Sequence, residues 1–371
     1  MNDILSRSAV MSLVLLLGAC GGDPSNDATT PGSTGDLSMT SSSTSSIDAD
    51  TSTGHAENSS GGPNTGDTSS SETTGASSET TQGADCDLER IDLPGDNFYP
   101  EGVAAYEEHL FVGSIATGEV VRASTCDGVV EDFIPAGILP GAVGLRVDEA
   151  RSLLWVCASD STQQTFASLE AFDLSSGAPV ASHSWDSPGM CNDIAIDDAG
   201  NVYATDSFGH RILRVDEEDA RMPTPAETWV AAPEFVVPPE QFGLNGIAWS
   251  SGGSLRVGSY ADGRLFEIPV LADDTAGAVT VLGGAGTLAG PDGMIPYRRG
   301  LLVVEGFATR LSRLDLGELS LTTVADDFDF PTTVAVVGDS AWVAEGQFDH
   351  LYGLDPAPPE LPFEVRRVRL R

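Results

Sequence analysis

The chain has 371 residues, with 18 basic and 56 acidic side chains and a formal net charge of -38. Every basic residue is arginine, and a surface this acidic repels phosphate, which excludes nucleic acid as a natural partner. The length admits two ordinary domains or one large β domain.

The chain opens with MNDILSRSAVMSLVLLLGAC, in which Arg7 precedes an apolar stretch at residues 10–17. That stretch is too short to span a bilayer as a mature helix, and it suits the core of a signal peptide. It closes on Leu17-Gly18-Ala19-Cys20. Small residues ahead of a cysteine resemble the bacterial lipobox, which implies that residues 1–19 are removed and that Cys20 is acylated. An ordinary secretory signal followed by an unrelated cysteine is the other reading. Acylation would make the lipid the only membrane attachment, since two or more acyl chains give stable anchoring. Gly21 stands where an inner-membrane retention aspartate would be, which favours the outer membrane or the cell surface.

Residues 20–85 follow, rich in Ser, Thr, Gly, Asp and Glu and almost free of large apolar side chains. Such a segment cannot bury enough surface to offset chain entropy, so a disordered tether is expected. The folded domain is then residues 86–371, expected as a monomer. It holds Cys86, Cys126, Cys157 and Cys191, none of them in a C-x-x-C pair. Four cysteines in an exported protein suggest disulfides with three possible connectivities. The short-range pairing, Cys86–Cys126 and Cys157–Cys191, is the expectation.

From residue 99 one pattern recurs six times: a polar residue opening an apolar run, a short turn, a β-branched or aromatic strand, then a third strand carrying a polar residue. The copies begin PEGVAAYEEHLFVGS, AVGLRVDEARSLLWVCAS, NDIAIDDAGNVYATDS, NGIAWSSGGSLRVGS, DGMIPYRRGLLVVEG and TTVAVVGDSAWVAEG. The third strands read EVVRAS, SLEAFDL, RILRVD, RLFEIPV, RLSRLDL and HLYGLD. Equivalent positions fall at 101, 143, 192, 245, 292 and 332. That spacing is one small antiparallel sheet per repeat, and helical periodicity is absent. The fold class is therefore all-β, a six-bladed β-propeller. LERIDL and FEVRRVRLR are candidates to share the last blade and close the ring. The arginines at 366, 367, 369 and 371 read as a solvated edge strand.

In a propeller the innermost strands converge on the channel, so the six equivalent positions face a common point. They hold Glu101, Val143, Asn192, Asn245, Asp292 and Thr332. Two carboxylates and two amides are hard oxygen donors, chemistry that suits calcium, with magnesium or manganese as alternatives. Asn245-Gly246 and Asp292-Gly293 are also ordinary turn dipeptides, the competing reading. The four histidines outside the tether, His109, His183, His210 and His350, form no metal or catalytic pair. His109, His183 and His350 read as surface residues. Gly283–Gly290 lacks a phosphate-loop lysine, and no G-x-S-x-G elbow is present.

Glu101-Gly102, Asn192-Asp193-Ile194, Asn245-Gly246-Ile247 and Asp292-Gly293-Met294 resemble the SMP-30/gluconolactonase/LRE-like propellers, an architecture shared with paraoxonase and strictosidine synthase-like proteins. The resemblance implies a divalent cation, with zinc a further option, held by Glu101, Asn245 and Asp292. It makes Asn192 a substrate contact or a fourth ligand and Asp292 a proton shuttle. The sequence departs from gluconolactonase at Met190, where that group has arginine, and at His210, which aligns with an acidic substrate contact. A calcium-dependent hydrolase of a lactone or ester is the function implied. The alternative is a non-catalytic envelope propeller that binds a peptide, glycan or partner protein around a structural ion.

Overall fold

The computed structural model describes residues 86–160, 166–185, 189–239, 241–284 and 286–370. The expected signal peptide, acylated Cys20 and tether fall on residues 1–85, outside the described residues. The described residues form six four-stranded antiparallel sheets. Blades 1 to 6 begin with the inner strands Pro100–Tyr106, Ala142–Asp148, Cys191–Ile196, Leu244–Ser250, Pro291–Tyr297 and Pro331–Val337. Each inner strand packs against the next, and the sixth packs against the first, so the ring is closed.

Alternation along each strand drives this arrangement. Successive side chains point to opposite faces of a blade, and each face meets a neighbouring blade. Val103 and Ile194 enter one apolar cluster while Ala104 and Ala195 enter others. Trp155, Trp342, Tyr203 and Phe266 fill the space between sheets and are fully buried.

Closure uses both ends of the chain. Blade 6 runs, from the channel outward, Pro331–Val337, Ser340–Glu345, Glu364–Arg369 and Arg90–Asp92. Ile91 pairs with Val365, and Leu93 N–H donates to the Phe363 carbonyl at 2.7 Å. Two sequence expectations fail here. HLYGLD is not the third strand: Phe348–Leu351 form a single helical turn, and the strand role passes to Glu364–Arg369. Gln347 turns the chain at φ 49°, and the following segment carries Pro356, Pro358, Pro359 and Pro362, which cannot donate to a ladder. Nor is the arginine-rich strand the edge, because Arg90–Asp92 covers it. Arg366 donates to the carbonyls of Asp326 and Asp327 and lies 3.7 Å from the Phe328 ring centroid, while Arg367 donates to Ser340 and the Cys86 carbonyl.

Both disulfides have the short-range pairing. Cys86–Cys126 ties the outer edge of blade 6 to blade 1, and Cys157–Cys191 ties blade 2 to the inner strand of blade 3.

His183 is buried rather than superficial. Although its strand, Pro179–Ser184, is the outermost of blade 2, the segment around Thr224 lies over it. The imidazole Nδ1 is 2.9 Å from the Thr224 carbonyl, the ring is 5.5 Å from that of Trp155, and Nε2 has no partner among the described residues.

Removing residues 86–93 should strip the outer strand from blade 6. The loss of Ile91 and Leu93 burial alone should cost about 3 kcal/mol or more, seen as a lower midpoint in urea and as aggregation through the exposed edge; an unchanged midpoint would refute closure by this strand. Burial lowers the His183 pKa from its ordinary value of 6.5, so the unfolded chain takes up this proton first. The stability it contributes is present above about pH 6.5 and is lost as pH falls toward the folded value. His183→Gln should flatten that limb of the stability profile.

Candidate cation centre at the channel mouth

All six inner strands carry the same irregularity. Leu244 pairs with Ser259 and Ile247 with Val257, so three steps on one strand face two on the other, and Asn245-Gly246 form a β-bulge. Glu101-Gly102, Val143-Gly144, Asn192-Asp193, Asp292-Gly293 and Thr332-Thr333 occupy the same bulge in the other blades. The turn-like dipeptides are therefore bulges within strands. A bulge aims a side chain away from the blade faces, here at the channel.

Close approach explains the glycines. A Cβ on Gly102 would lie 2.0 Å from the Val143 carbonyl oxygen, and one on Gly246 would lie 2.0 Å from that of Asp292. Each bulge thus sits against the next blade's bulge. Thr332 closes the circle by donating to the Glu101 carbonyl at 2.8 Å.

The segment after each second strand crosses the same mouth. The N–H groups of Ile115, Ser159, Ser207, Tyr260, Gly306 and Gly346 donate to the carbonyls of Tyr99, Gly141, Met190, Gly243, Gly290 and Phe330. Every acceptor lies two residues before its blade's ring residue, so six equivalent bonds hold the ring at one height.

Glu101, Asn192, Asn245 and Asp292 are all buried in this ring. The Asn245 amide lies against the Asp292 carboxylate and draws its pKa down, as does the Gly293 N–H. Burial and the nearby Asp193 outweigh both, and the Asp292 pKa stands well above the ordinary range. The Glu101 carboxyl is also pushed far up, by burial first and then by Asp292 and Asp193. Glu101 Oε2 and Asn245 Oδ1 are buried acceptors with no hydrogen-bond partner among the described residues. Glu101, Asn245 and Asp292 thus come within electrostatic reach of one another. Asn192 holds the same register in blade 3, beside the disulfide at Cys191.

Sequence reasoning missed Asp193. It replaces glycine at the second bulge position, and its carboxylate accepts the N–H groups of Ile194 at 2.8 Å and Ile247 at 3.0 Å. Burial raises its pKa to about 6, against the pull of those donors and of Arg146. Beyond Asp193 the channel widens into a cavity of about 360 Å³ lined by Ala105, Arg146, Glu149, Pro296 and Val336. The break in the glycine pattern at 193 was the available signal. Tyr260 and Tyr352 were also missed. Burial raises the pKa of both phenols, Asp292 adds to the rise at Tyr260, and Glu101 and then Asp292 add to it at Tyr352. His210 lies at this mouth too, its Nδ1 close to Gly243.

The donor set fits a hard divalent cation. Unpaired buried acceptors and mutually repelling carboxylates are what such an ion would satisfy, with no sulfur ligand in the ring.

No protein-family model matches the sequence, and no curated protein matches it. Among solved structures, the calcium-binding protein regucalcin from Agrobacterium tumefaciens is similar with TM-score 0.56 and 16% identity, over 76% of this chain and 95% of that one. A gluconolactonase from Xanthomonas campestris is similar with TM-score 0.53 and 14% identity, over 77% and 96%. Catalytically inactive virginiamycin B lyase from Staphylococcus aureus with quinupristin is similar with TM-score 0.51 and 11% identity, over 76% and 98%. Likeness at these identities establishes the fold, and that fold carries different chemistries in different proteins.

The raised carboxylates set a sign for stability. A folded carboxyl that holds its proton more tightly than the unfolded one adds stability below the unfolded pKa, and this is lost as pH rises through the folded value. Without divalent ions the protein should lose stability as pH rises above the ordinary carboxylate range, and roughly 1 mM calcium should restore it increasingly with pH. Glu101→Gln should raise the ion-free Tm at pH 7 and abolish the calcium response. A calcium shift that survives in the variant would place the ion elsewhere.

Proposed function

We propose that this chain is a divalent-cation-dependent hydrolase of a lactone or ester, with calcium the favoured ion. The observation that carries the reading is the pair of buried carboxylates, Glu101 and Asp292, set in one ring with the unpaired acceptors Glu101 Oε2 and Asn245 Oδ1. Likeness in fold to a gluconolactonase and to regucalcin supports it.

Glu101, Asn245 and Asp292 would hold the ion, with Asn192 as a fourth oxygen donor. When bound, the ion supplies Lewis-acid polarisation of a carbonyl and lowers the pKa of water. The protein's own contribution is orientation and proton transfer. Asp292 is buried beside a neutral amide, placed to take a proton from water and return it to a leaving alkoxide. Water oxygen bonds to the carbonyl carbon, the bond from that carbon to the alkoxide breaks, and an acid and a hydroxyl result. Asn245 fixes the Asp292 carboxylate by lying against it, and the bulge bonds keep both in place.

We further propose that the protein is exported and held in the cell envelope by a lipid on Cys20. The signal-like residues 1–19 and two disulfides, which persist in oxidising compartments, support this. Met190, buried at the rim where a charged contact would serve a sugar, favours the rival reading of a binding propeller with a structural ion.

Metal analysis of the purified chain should find about one calcium per molecule. Activity on a panel of lactones and aryl esters should vanish with EDTA and return with calcium. Asp292→Ala should lower kcat/KM by about 10² to 10⁴. Activity that persists in that variant would move the proton transfer to another group. A tightly held ion with no turnover of any substrate would select the binding propeller.

A further inference from the structure

Acidic side chains outnumber basic ones 56 to 18, so an arginine on this protein finds a carboxylate easily. Most arginines have one. Arg122 reaches Glu131 at 2.6 Å, Arg256 reaches Glu267 at 2.7 Å and Arg264 reaches Asp262 at 2.6 Å. Arg298, Arg299 and Arg313 have no carboxylate within ion-pair distance among the described residues. These three line one pocket of about 250 Å³ in blade 5.

The other blades show what the same positions do elsewhere. Arg313 in blade 5 is equivalent to Arg214 in blade 3. Each lies three residues after the arginine that pairs with the carboxylate ending the second strand, Arg310 with Glu305 and Arg211 with Asp206. Each is followed two residues later by an aspartate. Arg214 takes that aspartate, Asp216, at 2.7 Å. Asp315 instead accepts the N–H groups of Gly317 and Glu318 at 2.8 and 3.0 Å, and Arg313 stays half-buried without a counter-charge. The two-residue turn after each inner strand differs too. It carries Glu107-Glu108 in blade 1 and Gly338-Asp339 in blade 6, but Arg298-Arg299 in blade 5. Arg298 holds φ 54° where glycine serves best, as Gly338 does in blade 6. Its guanidinium lies 5.0 Å from the Tyr297 ring centroid, a contact that steadies the group and uses no hydrogen-bond acceptor.

Three like charges around one pocket repel one another unless an anion joins them. Guanidinium forks match phosphate oxygens in bidentate fashion. A dianion with three terminal oxygens answers three forks, which a single carboxylate does not. The net charge of -38 repels polyanions and anionic lipid surfaces. Screening over about 8 to 10 Å leaves the local arginines in control of a small solute. Tyr297 ends the strand that begins Pro291-Asp292, which puts the pocket about 16 Å from the cation ring at ~3.3 Å per residue.

We propose that this pocket binds the phosphate group of a small soluble phosphate monoester, held by Arg298, Arg299 and Arg313. The site is separate from the cation ring and does not depend on the hydrolase reading.

Calorimetry in EDTA keeps divalent ions out of the ring, so that binding reports the pocket alone. Glycerol 3-phosphate titrated into the full chain should bind saturably, and acetate should bind at least about tenfold more weakly. Arg313→Gln and Arg299→Gln should each weaken glycerol 3-phosphate about tenfold. Arg90→Gln, on the exposed edge of blade 6, should leave the affinity unchanged. Arg299 stands in an exposed turn, so its variant decides the matter even if Arg313→Gln fails to fold. No saturable binding up to about 10 mM, or an affinity unmoved by both variants, would overturn the proposal. So would binding to vesicles containing phosphatidic acid without binding of glycerol 3-phosphate, which would make the patch a membrane contact instead.

Discussion

The bulge that opens every inner strand is the constraint on which the rest of the molecule depends. One extra residue per blade turns a side chain from the interface between blades to the channel. The same extra residue brings the backbone of one blade against the next so closely that most bulges need glycine at the second position. Ring closure and site formation are therefore one structural event. Thr332 donating to the Glu101 carbonyl joins blade 6 to blade 1, and it also fixes the height of Glu101.

Electrostatics distinguishes this ring from the buried carboxylates of Asp206 and Glu305. Asp206 accepts the N–H groups of Met190 and Gly209 and the Arg211 guanidinium. Glu305 accepts Ala289 N–H, the Ser312 hydroxyl and Arg310. Both end second strands, and both are satisfied by the protein, as burial requires. Glu101 Oε2 has no such partner and faces two other carboxylates. In a chain of charge -38, bringing like charges together in a buried channel is costly. The neutral Asn245 amide and the backbone donors around Asp193 relieve part of that cost.

The mouth is asymmetric because the blades differ outside their strands. Blades 3 to 5 place aromatic rings after their second strands, whereas blade 2 places Ser159 and Asp160 there. Blade 6 inserts a proline-rich excursion between its second and third strands, and this excursion carries Tyr352. The repeated sheets thus set a rigid frame, and the connecting segments determine what lies over it.

The sequence by itself determined the blade count, the positions of the inner strands and the ring residues Glu101, Asn192, Asn245 and Asp292. Each of these is a repeated local feature, and strand alternation and turn residues report it directly. It left the cysteine pairing open among three connectivities, because pairing depends on which strands become neighbours. Only the tertiary structure decided that Arg90–Asp92 is the outer strand of blade 6, that Phe348–Leu351 coil instead of pairing, and that His183 is buried under the Thr224 segment. The same holds for Asp193 beneath the ring and for Tyr260 and Tyr352 above it. Residues outside the repeat have no equivalents in other blades from which their place can be inferred. Their surroundings come from contacts between distant segments, which no local pattern encodes.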